Sequence, residues 1–256
     1  ERASQVLQTL RDLTGQLFNK TECLMTYACE SEARSQVYQQ IVDFNGSLGE
    51  SKYAGKPAVI LAAPGRNEGI ETPGKVQYVT AGGNFREHGQ EYTGAMLVLA
   101  TMLRYEYLWT KIRIQGGAYG ANALFSRSGE MYFTTYRDPQ LTASLDAFQG
   151  LPAWLRNLQL TERELTKYVI GTISGLDTPL PVSYKTVRVA MQELGEGVTV
   201  AQRQKTRDEI LDVQLADLQA LAAPIAKVLA DNYLCVVGGK QPIEAAGNIF
   251  TKTFSV

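Results

Sequence analysis

An arginine and a tyrosine six residues apart, Arg113 and Tyr119, bracket a double glycine in the segment Arg113-Ile-Gln-Gly-Gly-Ala-Tyr-Gly120. The guanidinium is a planar fork of donors suited to carbonyl or carboxylate oxygens. The phenol adds one directional hydroxyl. Such a pair can grip a peptide or stabilise an oxyanion. Gly116, Gly117 and Gly120 give up side chains at about 0.5–1 kcal/mol each relative to alanine inside a helix or strand. The segment therefore implies a special backbone angle or the close approach of another chain. The plainer alternative is an edge ion pair for Arg113 and a core position for Tyr119.

No complete catalytic centre accompanies the pair. His88 is the only histidine, so neither H-E-x-x-H nor H-x-x-E-H can occur. It falls in the polar stretch from Asn84 to Gln90 and is expected to be solvated. Cys23, Cys29 and Cys235 lack ligand spacing, and no metal site is expected among these residues. Ser126 and Ser128 sit in no nucleophile elbow. Ala81-Gly82-Gly83-Asn84 and Gly116 to Gly120 match neither a phosphate-binding loop nor a dinucleotide fingerprint. Glu162, Glu164, Asp208, Glu209 and Asp212 read as helix starts and solvated faces. Tyr136-Arg137-Asp138-Pro139 reads as a strand end followed by a helix cap.

The elements that must position Arg113 and Tyr119 are legible as periodicity. Tyr92, Ala95, Met96, Leu99, Met102 and Leu103 recur at helical spacing and predict a core-facing helix in which both methionines are packing residues. Ala58 to Ala63 reads as a buried strand, Val76 to Thr80 as a half-buried one, and Met131 to Tyr136 as a strand entered by a Ser128-Gly129 turn. Leu141, Leu145 and Phe148 share one helix face after Asp138-Pro139. Thr161 and Glu164 form a capping box for the next helix. A further helical pattern from Ile210 to Leu229 precedes a strand, Tyr233 to Val237, and a short helix from Pro242 to about Ile249. The sum is an α+β layer, an antiparallel sheet with helices packed on one face.

The beginning of the chain repeats the end. A helix carrying Val6, Leu7, Leu10, Leu13 and Leu17, a strand from Cys23 to Ala28, and a helix capped by Ser31 mirror the last three elements at an offset of about 200 residues, the signature of tandem homologous domains. On this reading residues 1–48 end a preceding domain, 49–75 are linker and first strand, and 76–256 form a complete domain. An orphaned domain end should expose apolar faces such as those of Leu10, Leu13 and Leu17. The sequence lacks an initiator methionine and enters an amphipathic helix at once, as a piece of a longer polypeptide would.

Composition narrows the partners. The chain has 256 residues, 45% hydrophobic and 20% charged, with a net charge of −1. That offers no basic face for nucleic acid and no case for an anionic membrane surface. The apolar runs fall far short of the ~20 residues a span needs. Cys23 and Cys29 would share a strand face as buried small hydrophobes rather than a disulfide, which leans toward a reducing compartment.

At Gly94-Ala95-Met96, Arg113 to Gly120, Tyr136-Arg137-Asp138-Pro139 and Leu176-Asp177-Thr178-Pro179-Leu180-Pro181, the chain resembles the C-terminal part of the insulinase (pitrilysin) family of metallopeptidases, nearest its presequence-protease branch. The resemblance runs over nearly the whole chain. It implies four homologous α+β domains in two halves around a closed chamber, with zinc bound by H-x-x-E-H in an N-terminal half that lies outside this sequence. It implies that Arg113 and Tyr119 hold the substrate backbone near the scissile carbonyl, with Gly116, Gly117 and Gly120 admitting the peptide. The implied partners are peptide substrates and the N-terminal half of the same polypeptide, in an intracellular setting such as a bacterial cytoplasm or an organelle matrix. On its own the piece is expected to bind no zinc and cleave nothing. A non-catalytic recognition or structural subunit of the same family is the alternative.

Overall fold

A computed structural model describes residues 2–21, 23–50 and 67–256. Along the chain run α1 (Arg2–Leu17), α2 (Arg34–Ser47), β1 (Glu68–Thr72), β2 (Tyr78–Asn84), α3 (Gly94–Tyr105), β3 (Gly120–Phe125), β4 (Glu130–Tyr136), α4 (Thr142–Arg156), α5 (Glu162–Leu176), α6 (Val182–Ala190), α7 (Val200–Leu211), α8 (Leu215–Ala220), α9 (Ala222–Ala230), β5 (Tyr233–Gly239), α10 (Lys240–Ala246) and β6 (Lys252–Ser255). They fall into two units, residues 1–62 with 179–199 and residues 63–178 with 200–256. This grouping differs from the sequence-based bounds, which kept 179–199 within the C-terminal domain.

In the first unit α1 carries its expected apolar stripe but buries none of it. Val6, Leu7, Leu10, Leu13 and Leu17 are 45–71% exposed. Residues 23–30 form no strand, which corrects the expected Cys23–Ala28 strand. Cys23 and Cys29 are accordingly exposed, not buried. A strand needs neighbours to pair its backbone and a layer to cover its face, and among the described residues this stretch has neither. The expected Ala58–Ala63 strand lies outside the described residues.

The second unit holds a six-stranded sheet in the order β3-β4-β2-β5-β1-β6. β3, β4, β2 and β5 are mutually antiparallel, as expected. β1 departs from that expectation, running parallel to both β5 and β6. Parallel neighbours need a long crossover, and here most of the unit intervenes between β1 and β5. β4 shows why one face is covered: Met131 and Phe133 are buried while Glu130 and Tyr136 are exposed. The period of two sends alternate side chains to opposite faces. Val79, Phe133 and Val236 meet Met96, Leu99 and Met102 of α3, Phe148 and Leu151 of α4, and Val228 of α9 in one core. The Phe133 and Phe148 rings lie 5.7 Å apart, and each buried side chain of this size contributes about 1.5–3 kcal/mol by burial.

The helical pattern from Ile210 to Leu229 is broken into α7, α8 and α9. The break comes at Gln214, where Asp217 accepts the backbone N–H of Gln214 at 2.8 Å and a capping box starts a new helix. By contrast the Thr161–Glu164 capping box of α5 forms as its spacing predicts. Among the described residues no single helix is long and apolar enough to cross a membrane; the bent pair Val200–Leu211 and Leu215–Ala230 passes on length and composition, but its Ile210, Leu218, Ile225 and Val228 belong to the core.

Candidate functional site

Between α3 and β3 the chain forms a π-helix, Trp109–Gln115, anchored by buried Ile112. Wide turns of this kind are rare and favour functional positions. Its end explains the double glycine. The N–H of Gly117 reaches the Arg113 carbonyl at 3.0 Å and that of Ala118 reaches the Ile112 carbonyl at 3.1 Å. This nested pair, with Gly117 left-handed at φ 81°, is a Schellman-type closure one residue wider than usual. A β-carbon on Gly116 would lie 2.6 Å from the Ile112 carbonyl oxygen. Gly116 and Gly117 therefore have local reasons to be glycine. Gly120 has none as strict: a β-carbon there would stand 4.0 Å from that of Tyr136.

The reversal brings Arg113 and Tyr119 together. The Arg113 guanidinium donates to the Tyr119 carbonyl, lies 4.5 Å from the centre of the Trp109 ring and 5.5 Å from that of Tyr119. Tyr119 donates its backbone N–H to the Tyr136 carbonyl at 3.1 Å, so it is fixed to the end of β4. Its ring meets Tyr136 edge-on at 5.8 Å, and Tyr136 meets Tyr78 at 5.5 Å in the same manner. Tyr119 is 65% exposed, which removes the core-tyrosine alternative. Arg113 makes no ion pair among the described residues, which removes the other half of it. Among those residues the Tyr119 hydroxyl has no partner, and its ring packs on Tyr136, which lies on the face of β4 opposite buried Met131 and Phe133; Arg113 is half-exposed beside it.

Other singled-out residues are spent on structure. Asp138 is fully buried. It exchanges two backbone hydrogen bonds with Gln77 at 2.7 and 2.9 Å, and its carboxylate takes the Gln140 N–H at 2.8 Å and the Ser144 hydroxyl at 2.6 Å; this pins the turn before α4, but the helix starts after Leu141 with no side-chain cap bond, which corrects the expected cap. His88 is less solvated than expected, because it bonds Asp231 at 2.6 Å. Ser126 and Ser128 both bond the Glu130 carboxylate, and these hydroxyls hold it below the usual carboxylate range. Among the described residues no three His, Cys, Asp or Glu side chains gather to hold a metal. The residues present do not fit a zinc ion.

The spacing of one segment revealed Arg113 and Tyr119 but not Trp109, Tyr78 or Tyr136. Trp109 stands one helical turn before Arg113, a signal available in hindsight. The tyrosines join only through strand register.

Residues 67–238 match the family model described as the PreP C-terminal domain. The chain belongs to that family. It is 31% identical over 256 residues to protein HypA of Clostridium perfringens (strain 13 / Type A), covering 100% of this chain and 26% of that protein. It is 31% identical over 252 residues to presequence protease 1, chloroplastic/mitochondrial, of Arabidopsis thaliana, covering 98% and 23%. The chain thus spans about a quarter of the length of these relatives. Among solved structures, a protease from Helicobacter pylori is similar with a TM-score of 0.56 at 15% identity, over 82% of this chain and 52% of that one. Pitrilysin gives 0.52 at 13% identity, over 88% and 25%. These last two likenesses are of fold. The PreP C-terminal domain assignment bears out the resemblance read from the motifs and the α+β class.

Proposed function

We propose that this chain is the non-zinc-binding, substrate-gripping part of a zinc metalloendopeptidase that degrades peptides in a closed chamber, with the N-terminal half of the same polypeptide as its partner. The observation that carries the reading is the juxtaposition of Arg113 and the exposed Tyr119, joined by the guanidinium–carbonyl bond beside the Tyr119–Tyr136 ring pair. The residues act as a pair. Arg113 donates to carbonyl oxygens of the bound peptide and fixes its register. The Tyr119 hydroxyl donates to the scissile oxygen as it gains charge, and its contribution grows as the tetrahedral species forms. Both donors are held in place before substrate arrives, so little reorganisation accompanies the reaction. The water-activating zinc belongs to polypeptide outside this chain. The relative named as chloroplastic/mitochondrial supports an intracellular setting.

The test is Tyr119→Phe in the full-length polypeptide. Loss of one such donor costs about 2.7–4 kcal/mol, roughly 10²–10³-fold in turnover, with folding retained because the hydroxyl bonds nothing among the described residues. Turnover unchanged by this substitution overturns the reading. An upstream H-x-x-E-H separates a catalytic parent from a non-catalytic subunit.

A further inference from the structure

One residue of the Tyr136–Pro139 segment has no structural reason to be what it is. Thr80 of β2 lies opposite Thr134 of β4, yet Gln77 lies opposite Asp138. Three steps back along the β2 segment are thus matched by four steps forward along the facing segment, and the extra residue is Arg137, left-handed at φ 49°. This is a β-bulge of the kind whose left-handed position ordinarily holds glycine. Its place is forced. Asp138 precedes a proline and is confined to extended backbone, and its hydrogen bonds to Gln77, Gln140 and Ser144 pin it. The bend must fall one residue earlier. Nothing in that requirement favours an arginine, and a β-carbon disfavours the left-handed turn.

What the arginine gains is position. Bulges re-aim side chains beside functional sites, and here the Arg137 guanidinium lies over the Tyr136 ring at 5.8 Å. Tyr136 in turn touches Tyr119. The exposed surface is therefore a row in which Arg113 and Arg137 flank the Tyr119–Tyr136 ring pair. Arg137 is exposed, and no carboxylate pairs with it among the described residues. An aromatic ring below a guanidinium holds it by cation–π attraction and leaves its fork of donors free. The acceptor that best fills such a fork is a carboxylate, bound through two parallel hydrogen bonds.

We propose that Arg137 is a second substrate-binding cation, which takes a carboxylate of the peptide held at Arg113 and Tyr119. The proposal rests on the reading of that pair as a peptide grip. The carboxylate comes from an acidic side chain or from the peptide's own C-terminus.

The experiment uses the full-length polypeptide, wild type and Arg137→Gly, with one cleavable peptide in three forms: unmodified, C-terminally amidated, and with its acidic side chains replaced by amides. Glycine suits the left-handed position, so Arg137→Gly should melt at the wild-type temperature or above it. The KM of wild type should rise about tenfold on one of the two neutralised peptides, the scale of one exposed charge-assisted contact, and that peptide identifies the source. Arg137→Gly should show the raised KM on all three forms with kcat little changed, and Arg137→Lys should recover part of the difference. The proposal is overturned if wild type treats the three forms alike, or if Arg137→Gly still discriminates as wild type does. Failure of the underlying reading looks different, since Tyr119→Phe would then turn over peptide normally. In that event Kd values for the same three peptides, measured by calorimetry on both proteins, decide the matter, and equal values overturn it.

Discussion

Gly117 and Gly120 are three residues apart and carry opposite expectations. Gly117 holds a left-handed angle at the close of the π-helix, where an L side chain costs about 1–2 kcal/mol. Gly117→Ala should lower unfolding free energy by that amount in chemical denaturation. It should also lower turnover of the full-length polypeptide by more than the lost folded fraction, because the turn sets where Tyr119 stands relative to Arg113. Gly120→Ala should be close to neutral in stability, as its new methyl would sit at ordinary contact distance from Tyr136. Equal losses for the two variants would show that the turn geometry is not what positions the pair. The glycine-flanked Arg and Tyr were legible in the sequence because seven residues of one segment, Arg113 to Tyr119, contain the whole relationship. Arg137 was not. Its distinction lies in an extra residue between strands about sixty positions apart, and no local pattern encodes register of that kind.

At the scale of elements, the capping box of α5 gives a pH-dependent contribution. The Thr161 backbone N–H, and then its hydroxyl, bond the Glu164 carboxylate and lower its pKa from 4.5. A lowered folded pKa means that the stabilisation is complete above the unfolded value and disappears as pH falls through the folded one. The Tm gap between wild type and Glu164→Ala should therefore be constant from pH 7 down to about the ordinary glutamate range and close below it. A gap that persists at lower pH would refute the assignment. This box was readable because its partners are three residues apart, and β4 and β5 were readable because short runs of aromatic, aliphatic and β-branched residues, Met131 to Tyr136 and Tyr233 to Val237, are local. β1 and β6 were not. Glu68-Gly-Ile-Glu-Thr72 and Lys252-Thr-Phe-Ser255 are short and polar, and become strands through pairing with each other and with β5. The strand predicted at Cys23–Ala28 shows the converse, since a suitable pattern with no neighbour to pair it among the described residues forms no strand.

At the scale of the molecule, the exposed leucines of α1 set the behaviour of the chain in solution. Five apolar side chains on one helix face stand 45–71% exposed, more than scattered surface residues would explain. The chain as given should self-associate with rising concentration in sedimentation analysis, and Leu10→Gln with Leu13→Gln should shift it toward monomer. No change on that double substitution would place the adhesive surface elsewhere. The position of β1 has a temporal consequence. Glu68 pairs with Cys235 on one side and Lys252 on the other, so both neighbours of this early strand are translated long after it. While the polypeptide emerges from the ribosome, β4 can already hydrogen-bond β2 and β3, but β1 must wait with two bare edges. Non-local pairings of this sort slow folding and leave partly made sheets open to aggregation. β2, β3 and β4, with the Arg113–Tyr119 surface beside them, can be in place before β1 has anything to join.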